Sequence, residues 1–385
     1  MEPLLQILLI LLFAKLFGEA SERLGLPSIV GEITAGLMLA LTLAPENTEI
    51  LKFFADLGAI FLLFTAGYRE VHISDLKEAS KTALIPTLSQ TIVAFVFGFL
   101  LGQAFELGFI QSLFMAVAFS PTSISVVVKT LIDADYLSSR PGSMMLTSAI
   151  FDDIIGIFLL SVVTSFATYN HFPSGMQLLG ISAKIIIFIL LISIIGLKIY
   201  PRIFQQVHKM HTKESIFAFV IIIALFSAYL AEVFGLHAVI GAFFGGVLIS
   251  EIPLAKLENV QKKVSGLSYG VFTPIFFASI GLSMELSVLF TAGKFTILVL
   301  ILALASKLIG GWIGTKLIGF EWKDSLIFGV GMMPRAGVEL VVIAIGKEMG
   351  IISQEMFSAI VFMVVASIII SPIVLDKAIK YREKY

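Results

Sequence analysis

The sequence contains no cysteine. Disulfides, thiol nucleophiles and thiolate metal sites are therefore excluded, and cysteine usage carries no information about redox compartment. Charge is scarce as well. Asp, Glu, Lys and Arg make up 14% of the 385 residues, against about 25% in an average soluble domain. The net charge of −1 comes without a basic patch, which excludes a nucleic-acid-binding surface. Histidines are few: His72, His171, His208 and His211 fall in expected loops, and His237 falls at an expected helix start. No buried histidine cluster points to a metal centre. Long polar segments are also missing, so no water-soluble domain is expected.

What remains is apolar. Hydrophobic residues make up 58% of the chain, and the mean hydropathy is +1.02. The apolar runs are long and continuous rather than alternating. That pattern specifies an all-α membrane protein and excludes a β-barrel. Counting runs of roughly 20 residues gives thirteen expected spans, near 3–18, 27–43, 51–67, 82–104, 109–131, 141–168, 178–199, 213–234, 236–250, 265–283, 290–317, 323–347 and 353–376. The N-terminus carries Glu2 and lacks a cationic leader, so the first span reads as a retained helix.

Loop cations orient the spans. After odd-numbered spans come Arg23, Arg69, Lys77, Lys81, Lys129, Arg140, Lys198, Arg202, Lys209, Lys213, Lys256, Lys262, Lys263, Lys316 and Lys323, then the tail cations Lys377, Lys380, Arg382 and Lys384. The opposite side holds Lys52, Lys294 and Lys347. This bias places the N-terminus outside and the C-terminus in the cytoplasm. Four cations lie within spans. Lys15 and Lys184 read as snorkelling near helix ends, while Lys307 and Arg335 sit deep.

An internal repeat is visible. LPSIVGEITAGLMLA (26–40) matches LHAVIGAFFGGVLIS (236–250), with Gly31 over Gly241 and Gly36 over Gly246. FLLFTAG (61–67) falls on IFFASIG (275–281), and Pro121 falls on Pro334. Spans 1–6 thus echo spans 8–13, and the single connecting span inverts the second half. Inverted repeats of this kind recur in secondary transporters.

The chemistry concentrates in four places. Asp152 and Asp153 stand together in MMLTSAIFDDIIGIFLLSVV, a stretch otherwise apolar enough to span a bilayer. Lys307 lies in ILVLILALASKLIGGWIG. Ionisable groups at membrane depth are costly and mark ion or proton paths. Ser120, Pro121, Thr122 and Ser123 interrupt the fifth span, and Pro334-Arg335-Ala336-Gly337 interrupts the twelfth. Proline removes a helix donor and clashes with the preceding turn, so both are expected to be broken helices crossing near the midplane. Counting about 1.5 Å per residue brings both breaks, both acids and Lys307 to the middle of a ~30 Å core.

A static ion pair needs one acid, not two. Lys307 is the natural partner of one carboxylate, and the other is a hard oxygen ligand that also holds a proton. Thr122 and Ser123 supply hydroxyl oxygens or cap a half-helix. Arg335 is expected to neutralise the carbonyl end of a broken helix, and Glu339, four residues on, to pair with it. Glu32, Asp56, Gln90 and Glu232 read as interface or loop-adjacent groups. An intramembrane aspartyl protease would place its two acids on separate, facing helices. A channel would need a filter loop, and none is evident.

With its SPTS interruption, FDD pair, SKLIGGWIG lysine and PRAG interruption, the chain resembles the monovalent cation:proton antiporter superfamily, second branch, of the NapA-type Na+/H+ antiporters. The resemblance covers nearly the whole chain. It implies scaffold and dimerisation helices over 1–67 and 213–283, a mobile core over 82–168 and 290–376, a linker over 178–199 and a basic cytoplasmic tail over 377–385. It also implies that Asp153 carries the ion and that Asp152 is the partner of Lys307. Many relatives read Arg-Gly-Glu after the second break, whereas this chain reads Arg335-Ala336-Gly337-Val338-Glu339. The expected activity is electrogenic, non-enzymatic exchange of protons for Na+ or Li+ in the plasma (inner) membrane of a prokaryote, by a homodimer embedded in lipid. No cofactor is expected beyond the transported ions. The alternatives are a K+/H+ antiporter and a Na+-coupled organic solute carrier.

Overall fold

The computed structural model describes residues 3–42, 48–71, 81–123, 126–128, 131, 136, 139–167, 175–285, 287 and 292–384. Lys77, Lys129, His72 and His171 lie outside these described residues. Within them the chain is helical and contains no strand. Among the described residues, nine helices are long and apolar enough to cross a bilayer.

The chain divides into two units. The first comprises Met1–Phe17, Gly31–Glu78 and Thr164–Leu282. It contains most of α1 (Pro3–Arg23), α2 (Ser28–Thr42) and α3 (Thr48–Glu70), then α7 (Gly175–Ile194), α8 (Tyr200–Val207), α9 (Ser215–Val233), α10 (Ala238–Ile249), α11 (Glu258–Leu267) and α12 (Thr273–Leu282). Its core is aromatic: Phe61, Phe64, Tyr68, Tyr200 and Phe204 are buried together, and the Phe61 and Phe272 rings stack at 5.0 Å. Tyr68 closes this core by donating its phenol hydrogen to the Ala255 carbonyl.

Glycines in this unit follow the sequence repeat. A Cβ on Gly36 would meet the Ala278 carbonyl oxygen at 1.9 Å, and one on Gly246 would meet that of Phe64 at 2.2 Å. A Cβ on Gly281 would meet the Ile33 oxygen at 2.0 Å, and one on Gly67 that of Phe243 at 2.3 Å. The sequence match superposes Gly36 on Gly246, Ile33 on Phe243, Phe64 on Ala278 and Gly67 on Gly281. Each contact therefore turns into the other of its pair when the halves are exchanged. Helix α2 packs on α12 as α10 packs on α3. Small residues are what permit backbones in a membrane to approach this closely.

Lys15 departs from the sequence expectation. It lies well inside α1, and its Nζ donates to the Tyr269 carbonyl at 2.7 Å. Tyr269 belongs to a π-helical turn, Ser268–Phe272, between α11 and α12. Such a turn disturbs regular i→i−4 pairing and exposes main-chain acceptors, so the ammonium is satisfied by a carbonyl without reaching for a helix end.

The second unit comprises Gly18–Val30, Ala79–Val163 and Ser283–Tyr385. Its helices are α4 (Lys81–Ala104), α5 (Phe109–Ala118), most of α6 (Arg140–Ala167), α13 (Gly293–Leu317), α14 (Trp322–Gly331), α15 (Gly337–Glu348) and α16 (Gln354–Lys384). Helices α4 and α13 pack along each other, with Ser89 Oγ donating to the Gly310 carbonyl at 2.8 Å. Met145 of α6, Ile327 and Phe328 of α14 and Leu375 of α16 share a buried cluster. The spans expected over 109–131 and 323–347 are both interrupted. Helix α5 has 10 residues and α15 has 12, which at about 1.5 Å per residue are too short to cross a ~30 Å core alone.

Candidate functional site

The first break follows from Pro121. Helix α5 ends at Ala118 and residues 121–123 are non-helical. A proline disfavours helical geometry in the residue before it and has no N–H to continue the ladder. The second break runs from Met332 to Ala336, around Pro334, between α14 and α15. The two breaks are bonded to each other. The Ser123 N–H donates to the Pro334 carbonyl at 2.9 Å, and the Thr122 hydroxyl lies 3.2 Å from the Met332 carbonyl oxygen. Backbone groups freed from helix pairing thus find partners in the opposing break, which is the condition for irregular backbone at membrane depth.

Helix α6 presents Asp152 to this crossing. A Cβ on Gly156, one turn further along, would lie 2.7 Å from Pro121 Cγ, so the absence of a side chain there lets the break seat directly on α6. Asp152 is fully buried. Its Oδ2 accepts from Lys307 Nζ at 2.5 Å and lies 2.6 Å from the Thr122 hydroxyl. Its Oδ1 lies 2.8 Å from the Thr91 hydroxyl of α4. Lys307, on α13, is also fully buried. Asp153 is the next residue on α6, about 100° around the helix, and is 6% exposed.

Arg335 serves the break. Its Nη1 donates to the Phe119 and Pro121 carbonyls, the latter at 3.2 Å, and its Nη2 donates to the Ala303 carbonyl of α13 at 3.0 Å. A guanidinium there neutralises the negative end of the α5 half-helix. Glu339 does the converse for α15: its Oε2 accepts the Ala336 N–H at 3.1 Å. Against expectation, Arg335 and Glu339 make no direct ion-pair contact, although each charge still acts on the other over a longer distance, and Arg335 Nε and Glu339 Oε1 have no hydrogen-bond partner. The i,i+4 rule applies within one helix. Helix α15 begins only at Gly337, so Arg335 stands ahead of it and faces the other break. Ser120 donates to the Ala116 carbonyl of its own helix at 2.9 Å and caps the turn.

The constellation is two adjacent buried carboxylates, one of them held by a buried ammonium, against two crossed helix breaks. Over residues 8–379 the chain matches the family model for the transmembrane sodium/hydrogen exchanger. The chain belongs to the sodium/hydrogen exchanger family. Among curated members, it is 33% identical to the Na(+)/H(+)-K(+) antiporter GerN of Bacillus cereus, covering 97% of each chain. It is 31% identical to an Na(+)/H(+) antiporter of Enterococcus hirae, covering 95% of each. It is 33% identical to the probable Na(+)/H(+) antiporter 3 of Methanocaldococcus jannaschii, over 92% of this chain and 90% of that one. Among solved structures, the exchanger fold is shared with the sodium proton antiporter MjNhaP1 of Methanocaldococcus jannaschii. The TM-score is 0.73 at 18% identity, over 97% of this chain and 96% of that one.

Thr91 is the site residue that the sequence did not single out. The available signal was weak: a second threonine one turn after Thr87, in an apolar helix with no ionisable residue between Thr82 and Ala104.

Proposed function

We propose that this exchanger-family chain is a secondary antiporter that exchanges protons for a monovalent cation, Na+ or Li+, by alternating access. The observation that carries this reading is that a single acid suffices for Lys307. Both oxygens of Asp152 are engaged by Thr91, Thr122 and Lys307, yet a second carboxylate, Asp153, is buried beside it. A carboxylate at that depth is retained for ion traffic. It binds a partly dehydrated cation or a proton, and one excludes the other, so the two fluxes are coupled. Lys307 holds Asp152 charged in one state and releases a proton when the cation arrives, which makes the cycle electrogenic. The names of the Bacillus cereus, Enterococcus hirae and Methanocaldococcus jannaschii relatives, all Na(+)/H(+) antiporters or probable ones, support sodium as cargo. The loop-cation bias supports an N-terminus outside and a C-terminus in the cytoplasm of a prokaryotic plasma membrane.

The test uses purified protein in proteoliposomes, with lumenal pH read after additions of NaCl, LiCl and KCl. Na+ and Li+ are expected to drive proton movement, and Asp153→Asn to abolish it. Wild-type exchange rates in Asp153→Asn would overturn the assignment of the carrier. A response to K+ alone would establish K+/H+ exchange, as in the name of the K(+)/H(+) antiporter 1 of Saccharomyces cerevisiae, 28% identical to this chain.

A further inference from the structure

A cavity of about 290 Å³ lies within the second unit, where α4 ends and where α13 and α16 begin. Its wall is mostly apolar. Phe105, Leu107, Phe295 and Met356 line it, and the Phe105 and Phe295 rings meet edge to face at 4.9 Å. Main-chain bonds hold this wall in place. Helix α4 closes with the Glu106 N–H on the Gln103 carbonyl at 3.0 Å and the Leu107 N–H on the Gly102 carbonyl at 2.9 Å, the paired bonds of a Schellman turn. Glu106 adopts the left-handed conformation that such a turn requires, with φ 57°, and so sets Phe105 and Leu107 on the wall.

Lys294, Ser353 and Glu355 border the same cavity. All three are exposed, so they stand at its mouth. Among the described residues, the Lys294 and Glu355 side chains bond neither each other nor any other group. The Ser353 hydroxyl accepts the Met356 N–H at 3.2 Å, and its own hydrogen remains to be donated. One cation, one anion and one hydroxyl donor thus surround an apolar space without satisfying one another. A small-molecule site has this makeup: an apolar lining with a few polar groups that fix orientation. The volume is just below the usual range of about 300–1,000 Å³, so the ligand is small. A ligand with one charge would pair with one of the two side chains and be repelled by the other. A ligand with an ammonium and an oxyanion is matched at both ends. Glu355 and the aromatic rings suit the ammonium, and Lys294 and the Ser353 hydroxyl suit the oxyanion.

We propose that this cavity binds a small zwitterionic group, a primary ammonium and an oxyanion carried by one molecule. None of the residues lining it belongs to the Asp152–Asp153 constellation. In the orientation argued above, α4 ends and α13 and α16 begin on the outer face. Two sources present this chemistry there: a free amino acid, and the phosphoethanolamine headgroup of an outer-leaflet lipid.

The experiment titrates the purified full chain in detergent by calorimetry. The zwitterionic probes are glycerophosphoethanolamine, a water-soluble form of the headgroup, and γ-aminobutyrate. Ethanolamine and glycerol phosphate supply one charge each. A lipid arm adds phosphatidylethanolamine or phosphatidylglycerol and reads the retained lipid by native mass spectrometry. At least one zwitterionic probe is expected to bind more tightly than either single-charge compound. Lys294→Gln and Glu355→Gln each remove one charge-assisted contact and are each expected to weaken that binding about tenfold. Both side chains are exposed, so the melting temperature of the variants should match the parent. Retention of phosphatidylethanolamine over phosphatidylglycerol, lost in both variants, names the lipid headgroup as the source. Binding of γ-aminobutyrate without a lipid preference names a free solute. The proposal is overturned if no zwitterionic probe or lipid binds, if a single-charge compound binds as tightly, or if both variants bind like the parent. Binding is read without any ion flux, so its failure leaves the exchange reading standing, and a failure of exchange leaves this site standing.

Discussion

The backbone N–H of Ser123 donates to the carbonyl of Pro334 at 2.9 Å, although 210 residues separate them in the sequence. Each proline strips a helix of its pairing, and each break repairs the other. The crossing is therefore one structural object, and the charged groups around it are held by the same contacts that close it.

Arg335 is the largest fully buried side chain in that object. Its guanidinium reaches the Phe119 and Pro121 carbonyls of one break and the Ala303 carbonyl of α13. Arg335→Met removes all of these donors and leaves buried acceptors unmatched. Hydrogen bonds from a charged group contribute about 1.5–3 kcal/mol each, so a loss of at least ~3 kcal/mol is expected, seen as a lower melting temperature in detergent. Arg335→Lys is expected to recover little, because a compact ammonium lacks the fork that reaches both elements. A lysine variant as stable as the parent would show that charge alone suffices.

Lys307 and Asp152 form a pair with neither side chain exposed. Lys307→Ala leaves a buried carboxylate without its counter-ion, a change that costs about 3–5 kcal/mol when such a pair is broken. Combining Lys307→Met with Asp152→Leu replaces both charges by apolar groups and is expected to restore most of the melting temperature without restoring transport. Residual exchange in Lys307→Ala should depend less on membrane voltage, read by imposing a potassium diffusion potential with valinomycin. Unchanged voltage dependence would remove Lys307 from the proton count.

Gly36 and Gly246 occupy matched places in the first unit, facing the Ala278 and Phe64 carbonyl oxygens. Adding a methyl group at either forces the paired backbones apart, and overpacking of this kind costs about 1–3 kcal/mol. Gly36→Ala and Gly246→Ala should therefore lower the melting temperature by similar amounts. A large effect at one site and none at the other would mean that the repeat does not share the load between its halves.

Much of the site was legible because charge and proline are conspicuous in apolar runs. Asp152, Asp153 and Lys307 stand out wherever the bilayer penalises them, and Pro121 and Pro334 announce their breaks. Thr91 was not legible. A threonine inside a helix ordinarily bonds the carbonyl one turn back, as this one does with Thr87, and nothing in the sequence says that a carboxylate from α6 also comes within reach. The Arg335–Glu339 pair was misread for a related reason. Four-residue spacing implies adjacency only once both residues lie on one helix, and the helix begins between them. Lys15 likewise needed the π-helical turn at Tyr269, which no local pattern announces.

By itself the sequence determined the helical membrane class, the matched glycine segments, the two interruptions and the presence of two acids and one base within apolar runs. These follow from hydropathy, glycine spacing and proline, which act locally along the chain. Only the tertiary structure decided which acid Lys307 holds, that Arg335 serves the opposing break instead of Glu339, and that two threonine hydroxyls frame Asp152. Those choices depend on which helices meet and at what rotation, and a difference of one residue turns a side chain by about 100°.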